Sequence, residues 1–220
     1  MRKLVVFGAG ELARLAYLAF SSSPDHEVVA CAVSRDYVDG TELFGLPVVP
    51  WEGLEATHPP GDHLLFVAVG YRAVNRHRRE VCDAARTRGY ELASYVSPEA
   101  IVADDVPVGD NTFVFEGAIV QPFASLGSGV IVWSGALVAH DTTIGDNCFI
   151  APRAAIAGNV QLGDNCFVGV NATIRDGVTV ARDCVIGAGA IVKRDTEPGA
   201  VYSTTPTPVS DRRSSELDRL

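Results

Sequence analysis

Residues 144–174 read IGDNCFIAPRAAIAGNVQLGDNCFVGVNATI, and in this stretch every sixth residue is aliphatic. The period extends in both directions: sixteen positions from Val102 to Val192, taken in steps of six, all hold Val, Ile or Leu. The fifth place of each six-residue unit holds only Ala, Val, Thr or Cys. A period of this regularity indicates a repeat architecture. We therefore predict a parallel β-helix whose coils have three faces of six residues each, with the aliphatic residues stacked inward.

The cysteines fit this repeat better than they fit a disulfide framework. Cys148, Cys166 and Cys184 occupy the fifth place of their units at intervals of 18 residues, so they should lie above one another on successive coils. The chain has five cysteines and no CxxC pair, and reduced thiols are typical of the cytoplasm. We interpret the three as small packing groups, not as redox or metal-binding groups.

The first part of the chain has a different pattern, in which short apolar runs alternate with amphipathic segments. The runs KLVVF, HEVVACAV, HLLFVAV and YELASYV read as strands, and residues 11–20 and 73–89 read as helices, with Val74 facing inward on the second. This alternation predicts a small parallel sheet with helices on its faces. We predict a Rossmann-like α/β unit at 1–97, an all-β parallel β-helix at 98–200 and a tail at 201–220.

The first predicted strand runs into a glycine-rich turn that resembles the start of a nucleotide-binding fingerprint. Gly8, Ala9 and Gly10 form this turn, and Ala13 stands at the third glycine position. Glycine N–H groups and a helix N-terminus together favour phosphate. Asp36 follows the second strand, where a ribose-binding acid is expected. A turn that merely needs glycine for its backbone is the simpler alternative.

Composition excludes several classes of partner. The formal net charge is −9 and the pI about 5.0, whereas nucleic-acid binding requires a basic surface. An acidic chain is equally unsuited to anionic membranes. No apolar run approaches a membrane span of about 20 residues, and the initial run LVVF is too short for a signal peptide. We therefore expect a cytoplasmic protein that binds neither nucleic acid nor membrane.

The glycine turn, the repeat and the segment beginning HDTTIGDNCF together resemble a known family. Over about residues 3–200 the chain is similar to the bacterial nucleotide-sugar acyltransferases of the left-handed β-helix superfamily, the group that includes the bacillosamine N-acetyltransferases and the sialic acid O-acetyltransferase-type proteins. The resemblance implies a left-handed helix and a homotrimer with active sites between subunits. It also implies acetyl-CoA, or another acyl-CoA, as donor and a nucleotide-linked amino sugar as acceptor.

His140 is the only histidine in the second half of the chain, and Asp141 follows it. The resemblance places the family's catalytic base, a histidine followed by an acid, on these two residues. An imidazole can accept a proton from an attacking amine near neutral pH, and a neighbouring carboxylate can hold its tautomer. A surface histidine without a role is the alternative. A zinc site of the carbonic-anhydrase kind needs about three histidines, so no metal is expected.

The resemblance also suggests binding residues for both substrates. The positions that correspond to contacts with the coenzyme, or lie on the same side, are Phe149, Gly158, Val170, Asn171, Arg175 and Ala188. The nucleotide sugar is expected at Gly8, Ala9, Gly10, Asp36, Gly70, Tyr71, Arg72, Asn75 and Arg76. The last five belong to GYRAVNRHRR, the strongest cationic cluster of the chain, which follows a predicted strand end where ligands of α/β sheets bind. A helix with a basic solvent face is the alternative for this cluster.

These observations predict an acyl-CoA-dependent N-acyltransferase, with acetyl as the transferred group, acting directly without an acyl-enzyme. A sugar O-acetyltransferase with the same base is one alternative. A non-catalytic trimer that binds nucleotide sugars is a second, and a nucleotide-cofactor oxidoreductase is a third.

Overall fold

The computed structural model describes residues 1–38, 40–209, 211 and 213, and its first unit is a five-stranded sheet with two helices. Along the chain the elements are β1 (Arg2–Phe7), α1 (Glu11–Ser21), β2 (His26–Val33), β3 (Glu42–Leu43), β4 (Leu46–Pro50), β5 (His63–Val67) and α2 (Arg76–Thr87), with short 3-10 turns at Arg35–Tyr37 and Leu54–Ala56. The strand order is β3-β4-β2-β1-β5. All neighbouring strands are parallel except β3 and β4. The predicted Rossmann-like sheet is thus confirmed.

Two predicted elements of this unit differ from the structure. The second helix begins at Arg76 and not at residue 73, because Ala73, Val74 and Asn75 all have positive φ angles and cannot continue into a helix. Val74 therefore precedes the helix. The predicted last strand is also divided: Leu92 makes only an isolated bridge to Leu65 in the sheet, and the chain then leaves for the second unit.

The second unit is a parallel β-helix, in which short strands stack into three faces. The seven-stranded face contains β6 (Tyr95–Val96), β8 (Phe113–Val114), β11 (Ile131–Val132), β14 (Phe149–Ile150), β17 (Phe167–Val168), β20 (Val185–Ile186) and β22 (Val201–Tyr202). The six-stranded face contains β7 (Ile101–Val102), β9 (Ile119–Val120), β12 (Leu137–Val138), β15 (Ala155–Ile156), β18 (Thr173–Ile174) and β21 (Ile191–Val192). The four-stranded face contains β10 (Ser125–Leu126), β13 (Thr143–Ile144), β16 (Gln161–Leu162) and β19 (Thr179–Val180). Partners within a face are 18 residues apart, as predicted, except that β20 and the final strand β22 pair 16 residues apart.

Three corners join the faces. The first corner links the seven-stranded to the six-stranded face, the second links the six-stranded to the four-stranded face, and the third leads back to the seven-stranded face. At each corner one residue has a positive φ, at every sixth position: Asn111, Gly117, Phe123, Gly129, Gly135, Asp141, Asn147, Arg153, Asn159, Asn165, Asn171, Gly177, Asp183 and Gly189. Twelve of these fourteen are Gly, Asn or Asp, the residues that tolerate the left-handed backbone best. The β-helix is left-handed, as the resemblance implied.

The interior of the β-helix is a continuous stack of the repeated aliphatic residues. The inward residues of successive strands, such as Val138, Ile156 and Ile174, are fully buried. The fifth-place residues lie among them, and all five cysteines of the chain are free and buried. Several fifth-place side chains also donate to a carbonyl oxygen 15 residues on, as in Cys148 Sγ to Gly163 O at 3.2 Å. The predicted packing role of the cysteines is confirmed, and a hydrogen-bonding role is added.

The outward residues give the three faces different chemistry. The seven-stranded face presents aromatic rings, among them Phe113, Phe149 and Phe167, and the first unit covers them. The four-stranded face presents polar side chains. The six-stranded face presents Ile101, Ile119, Leu137, Ala155, Thr173 and Ile191. Ile101 and Ile191, at its two ends, are 66% and 62% exposed.

The C-terminal segment continues the β-helix for one more strand. Val201–Tyr202 pairs with Val185–Ile186 on the seven-stranded face. The rest of the predicted tail lies partly outside the described residues, which omit 210, 212 and 214–220. In the described part of the chain, neither helix has the length and apolar character needed to cross a membrane.

Candidate active site

His140 lies at the second corner, where the chain turns from the six-stranded to the four-stranded face. Its imidazole Nδ1 is 2.9 Å from Asp141 Oδ2, and both side chains are about half exposed. Gln121 on the preceding coil accepts the backbone N–H of His140 through Oε1 at 3.0 Å. Asp141 also supplies the left-handed residue of the corner, with φ of 57°. With Nδ1 directed at the carboxylate, Nε2 is the nitrogen available to a substrate.

Gly158 lies one coil after His140, and the imidazole ring covers it. A Cβ atom at position 158 would lie 2.6 Å from His140 Cε1 and 2.7 Å from Nε2, so only glycine accepts the ring in this position. The N–H of Gly158 has no hydrogen-bond partner within the described part of the chain. Gly158 therefore leaves space for the imidazole and offers a free donor beside it.

A cleft of about 820 Å³ opens in the first unit at the carboxyl ends of β1, β2 and β5. Its lining includes six of the predicted sugar-binding residues: Gly8, Ala9, Gly10, Gly70, Arg72 and Arg76. Gly8 has φ of 129°, and a Cβ there would lie 2.8 Å from the carbonyl oxygen of Ala68. Glycine is thus required at position 8 by the close approach of the neighbouring backbone, and the turn also lines the cleft.

Other residues of the cleft were not expected from sequence. Ser34, Tyr37, His77 and Glu80 also line it. Asp36 is exposed in the adjacent 3-10 turn but lies outside this lining. The position of the second strand end could have indicated Ser34 and Tyr37, because the cleft forms wherever parallel strands end.

Three residues predicted to bind substrates lie at the contact between the two units, where Tyr71 is nevertheless 59% exposed. Tyr71 packs its ring 5.0 Å from that of Phe149 and 5.1 Å from that of Phe167. Phe149 is buried there and has no exposed face for a coenzyme. Asn75 is fully buried, and its Nδ2 donates to the backbone oxygens of Asn165 and Cys166. We assign Phe149 and Asn75 to the contact between the units, because their contacting atoms are already occupied.

Arg78 is a buried residue at the same contact between the units, and its role was not predicted from the sequence. Its guanidinium donates to the carbonyl oxygens of Gly129, Asn147 and Cys148 at the third corner, at 2.9, 2.8 and 3.2 Å. It also donates to Gly70 O at the rim of the cleft, at 2.8 Å. Burial lowers the pKa of Arg78 to about 10. A cationic cluster read from sequence does not show which of its members turns inward.

The remaining predicted coenzyme residues divide between two corners. Gly158 and Arg175 lie at or beside the second corner with His140. Val170, Asn171 and Ala188 lie together at the first corner, on the other edge of the six-stranded face. Within one chain these two groups are separated by the width of that face. In the described ranges, no cluster of three or more His, Cys, Asp or Glu side chains is suited to a metal ion.

Comparison with known families places the repeat among bacterial transferases. The model described as bacterial transferase hexapeptide (six repeats) matches residues 141–176, and that described as hexapeptide repeat of succinyl-transferase matches residues 159–194. No curated protein gives a significant match to the sequence.

Similar solved structures extend over nearly the whole chain. One is a histidine-to-asparagine mutant of perosamine N-acetyltransferase from Caulobacter crescentus, in complex with CoA and GDP-perosamine. It is 30% identical with a TM-score of 0.83, and the match covers 91% of this chain and 93% of that chain. The acetyltransferase domain of PglB from Neisseria gonorrhoeae, in complex with acetyl coenzyme A, is 30% identical with a TM-score of 0.78, over 91% and 95% of the two chains. WeeI from Acinetobacter baumannii is 21% identical with a TM-score of 0.74, over 91% and 96%, and shares the fold.

Proposed function

This chain belongs to the hexapeptide-repeat superfamily of nucleotide-sugar acetyltransferases, and we propose that it transfers the acetyl group of acetyl-CoA to the amino group of a nucleotide-linked amino sugar. The observation that carries the proposal is the His140–Asp141 pair at 2.9 Å, held over Gly158 at the edge of the β-helix. The relatives in complex with CoA and GDP-perosamine support the choice of donor and acceptor.

In this proposal His140 is the general base. The acceptor amine attacks the thioester carbonyl carbon, and its proton passes to Nε2 of His140. Asp141 accepts the hydrogen bond of Nδ1–H, which fixes the tautomer that has its lone pair on Nε2, and it stabilises the imidazolium that forms after attack. The tetrahedral intermediate then collapses with loss of the CoA thiolate, which takes up the proton. General-base catalysis of this kind contributes about 10²–10⁴-fold to the rate.

The free N–H of Gly158 is the donor that we assign to the developing oxyanion. It lies beside the imidazole and has no partner within the described residues. A backbone donor held in place before reaction stabilises negative charge without reorganisation. Gly158 therefore has two roles in this proposal. Its lack of a side chain leaves space for the imidazole, and its backbone N–H stabilises the oxyanion.

The proposal places each active site between two subunits of a homotrimer. The first unit packs on the seven-stranded face, which borders the first and third corners, whereas His140 lies at the second corner. A sugar held in the cleft of one chain is therefore directed away from the histidine of that chain. The exposed aliphatic residues of the six-stranded face favour contact with another copy. With these faces toward a threefold axis, the first corner of one subunit meets the second corner of the next.

This arrangement brings the two groups of predicted coenzyme residues together in one groove between subunits. Val170, Asn171 and Ala188 of one copy would face Gly158 and Arg175 of its neighbour, with His140 at the same groove. We further propose that the reaction takes place in the cytoplasm, where acyl-CoA is available and where five free thiols stay reduced.

The test is CoA thiol release from acetyl-CoA with a panel of nucleotide-linked amino sugars and matched sugars bearing a hydroxyl in place of the amine. The wild-type protein is expected to release thiol with an amine acceptor, and His140→Asn to lower kcat by about 10²-fold or more. Binding of both substrates to the variant, measured by calorimetry, should remain. Equal rates in the two proteins would exclude His140 as base. Release only with hydroxyl acceptors would favour O-acetylation, and binding without release would favour a non-catalytic trimer.

A further inference from the structure

Phe123 departs from the residue pattern of the corners. It stands at the left-handed position of the second corner, with φ of 65°. Of the other left-handed corner residues in the described part of the β-helix, all except Arg153 are Gly, Asn or Asp. A bulky residue is strained in this conformation, and such strain is concentrated at functional sites. Asp105 Oδ2 accepts the N–H of Phe123 at 2.7 Å, which holds the turn in place.

The ring of Phe123 is also unusually open for an aromatic side chain. It is 73% exposed, although burial of an aromatic ring is a large source of stability. Phe123 lies one coil before Asp141 on the same corner, since the two positions are 18 residues apart. An exposed apolar surface therefore adjoins the catalytic pair on its N-terminal side.

The positions assigned to the coenzyme leave this side of His140 free. Gly158, Val170, Asn171, Arg175 and Ala188 all belong to coils that follow His140 in the chain. A thioester arriving from those coils occupies the C-terminal side of the imidazole. The coil that contains Phe123 lies on the other side of the imidazole, where the acceptor can approach the base.

We propose that Phe123 is a specificity-determining residue, whose ring packs against the apolar C–H face of the acceptor pyranose. This inference rests on the proposed function and names the sugar-contacting surface of that site. In the trimer described above, the neighbouring first corner at this height has glycine at positions 117 and 135. Neither of these two residues has a side chain of its own to cover the ring.

The test compares Phe123→Asn with Phe123→Tyr in the full-length protein. Asn removes the ring and suits the left-handed backbone, so Phe123→Asn is expected to raise KM for the acceptor roughly tenfold, with KM for acetyl-CoA unchanged and a thermal midpoint at or above that of wild type. Phe123→Tyr keeps the ring and should retain the wild-type KM. Calorimetric titration with the nucleotide sugar should show the same order of affinity.

Three results would overturn the inference. The first is an unchanged acceptor KM in Phe123→Asn while the wild-type enzyme is active, and this result would leave the proposed function intact. The second is a rise in KM for acetyl-CoA alone, which would place the ring at the donor. The third is dissociation of the trimer, measured by analytical ultracentrifugation, which would assign Phe123 to the subunit contact. A wild-type protein that acetylates no acceptor would instead refute the proposed function, and this inference with it.

Discussion

His140 illustrates how a repeat gives one side chain a defined position. The hexapeptide period places residue 140 beside residue 158 on the next coil, and the absence of a side chain at Gly158 lets the imidazole lie flat against the backbone. The adjacent Asp141 has two roles, because it bonds to Nδ1 and also adopts the left-handed conformation that turns the corner. The orientation of the proposed base thus depends on three residues, of which only His140 and Asp141 were related to each other from the sequence.

Gly158→Ala is expected to lower kcat by about 10²-fold, since a displacement of a catalytic group by about 1 Å has an effect of this size. The new Cβ would force the imidazole to rotate away from its place beside the N–H of residue 158. The thermal midpoint should change little, because the ring is the end of a flexible and half-exposed side chain. The measurement is steady-state kinetics together with a thermal melt.

The matched control for this variant is Gly61→Ala. A Cβ at position 61 meets no atom within 4 Å, so this variant should keep the wild-type kcat. Wild-type turnover in Gly158→Ala would show that the imidazole does not work in the orientation seen here.

At the scale of elements, α2 connects the cleft to the β-helix. The three residues before it, Ala73–Asn75, have left-handed backbones, which bring Asn75 and Arg78 against the carbonyl groups of the third corner. A helix starting at 73, as predicted, would carry these side chains in other directions. The strain in this segment is therefore offset by buried hydrogen bonds between the two units.

Arg78→Met is expected to lower the free energy of unfolding by about 3 kcal/mol or more, because it leaves several buried carbonyl groups without a donor. Since Arg78 also bonds to Gly70 O at the rim of the cleft, KM for the nucleotide sugar should rise as well. Chemical denaturation and steady-state kinetics measure the two effects.

Arg79→Met, at the half-buried neighbouring position, provides the comparison and should change the stability by no more than about 0.5 kcal/mol. If both variants unfolded at the same denaturant concentration, the buried guanidinium would have no structural role.

At the scale of the whole molecule, the cleft and the corner that holds His140 are on different sides of one chain. The first unit covers the seven-stranded face through aromatic contacts, and His140 lies at the corner that does not border this face. The six-stranded face, whose aliphatic residues Ile101 and Ile191 are exposed at its two ends, lies next to that corner. Assembly is therefore part of the proposed catalytic site as well as a source of stability.

Mixed trimers provide the test of a shared site. Co-expression of differently tagged His140→Asn and Arg72→Glu chains, followed by purification on both tags, yields trimers that contain both variants. In a cyclic trimer every such mixture has one junction between an intact cleft and an intact histidine, so activity should be about one third of wild type. Each variant alone should be nearly inactive. Absence of activity in the mixture would place the cleft and the base of each site in the same chain.

The period of six, the inward aliphatic stack and the buried cysteines of the repeat were all predictable, because each follows from backbone geometry that repeats along the chain. The glycine turn was predictable from its local motif. The adjacent pair His140–Asp141 was equally visible, since two neighbouring residues need no fold to bring them together. The strands of the first sheet followed from the alternation of apolar and amphipathic segments.

Other features depend on contacts between residues far apart in the chain, and local pattern carries no information about them. Asn75 and Phe149 were predicted to bind ligands, yet packing of α2 and of the aromatic face turned both toward the interior. The sequence does not distinguish Arg78 from the neighbouring arginines, because its carbonyl partners lie more than 50 residues away in the chain. The separation of the residues predicted to bind the coenzyme onto two corners likewise follows from the way the coils stack. Periodicity specifies which side of a strand faces inward, whereas packing decides what covers the other side.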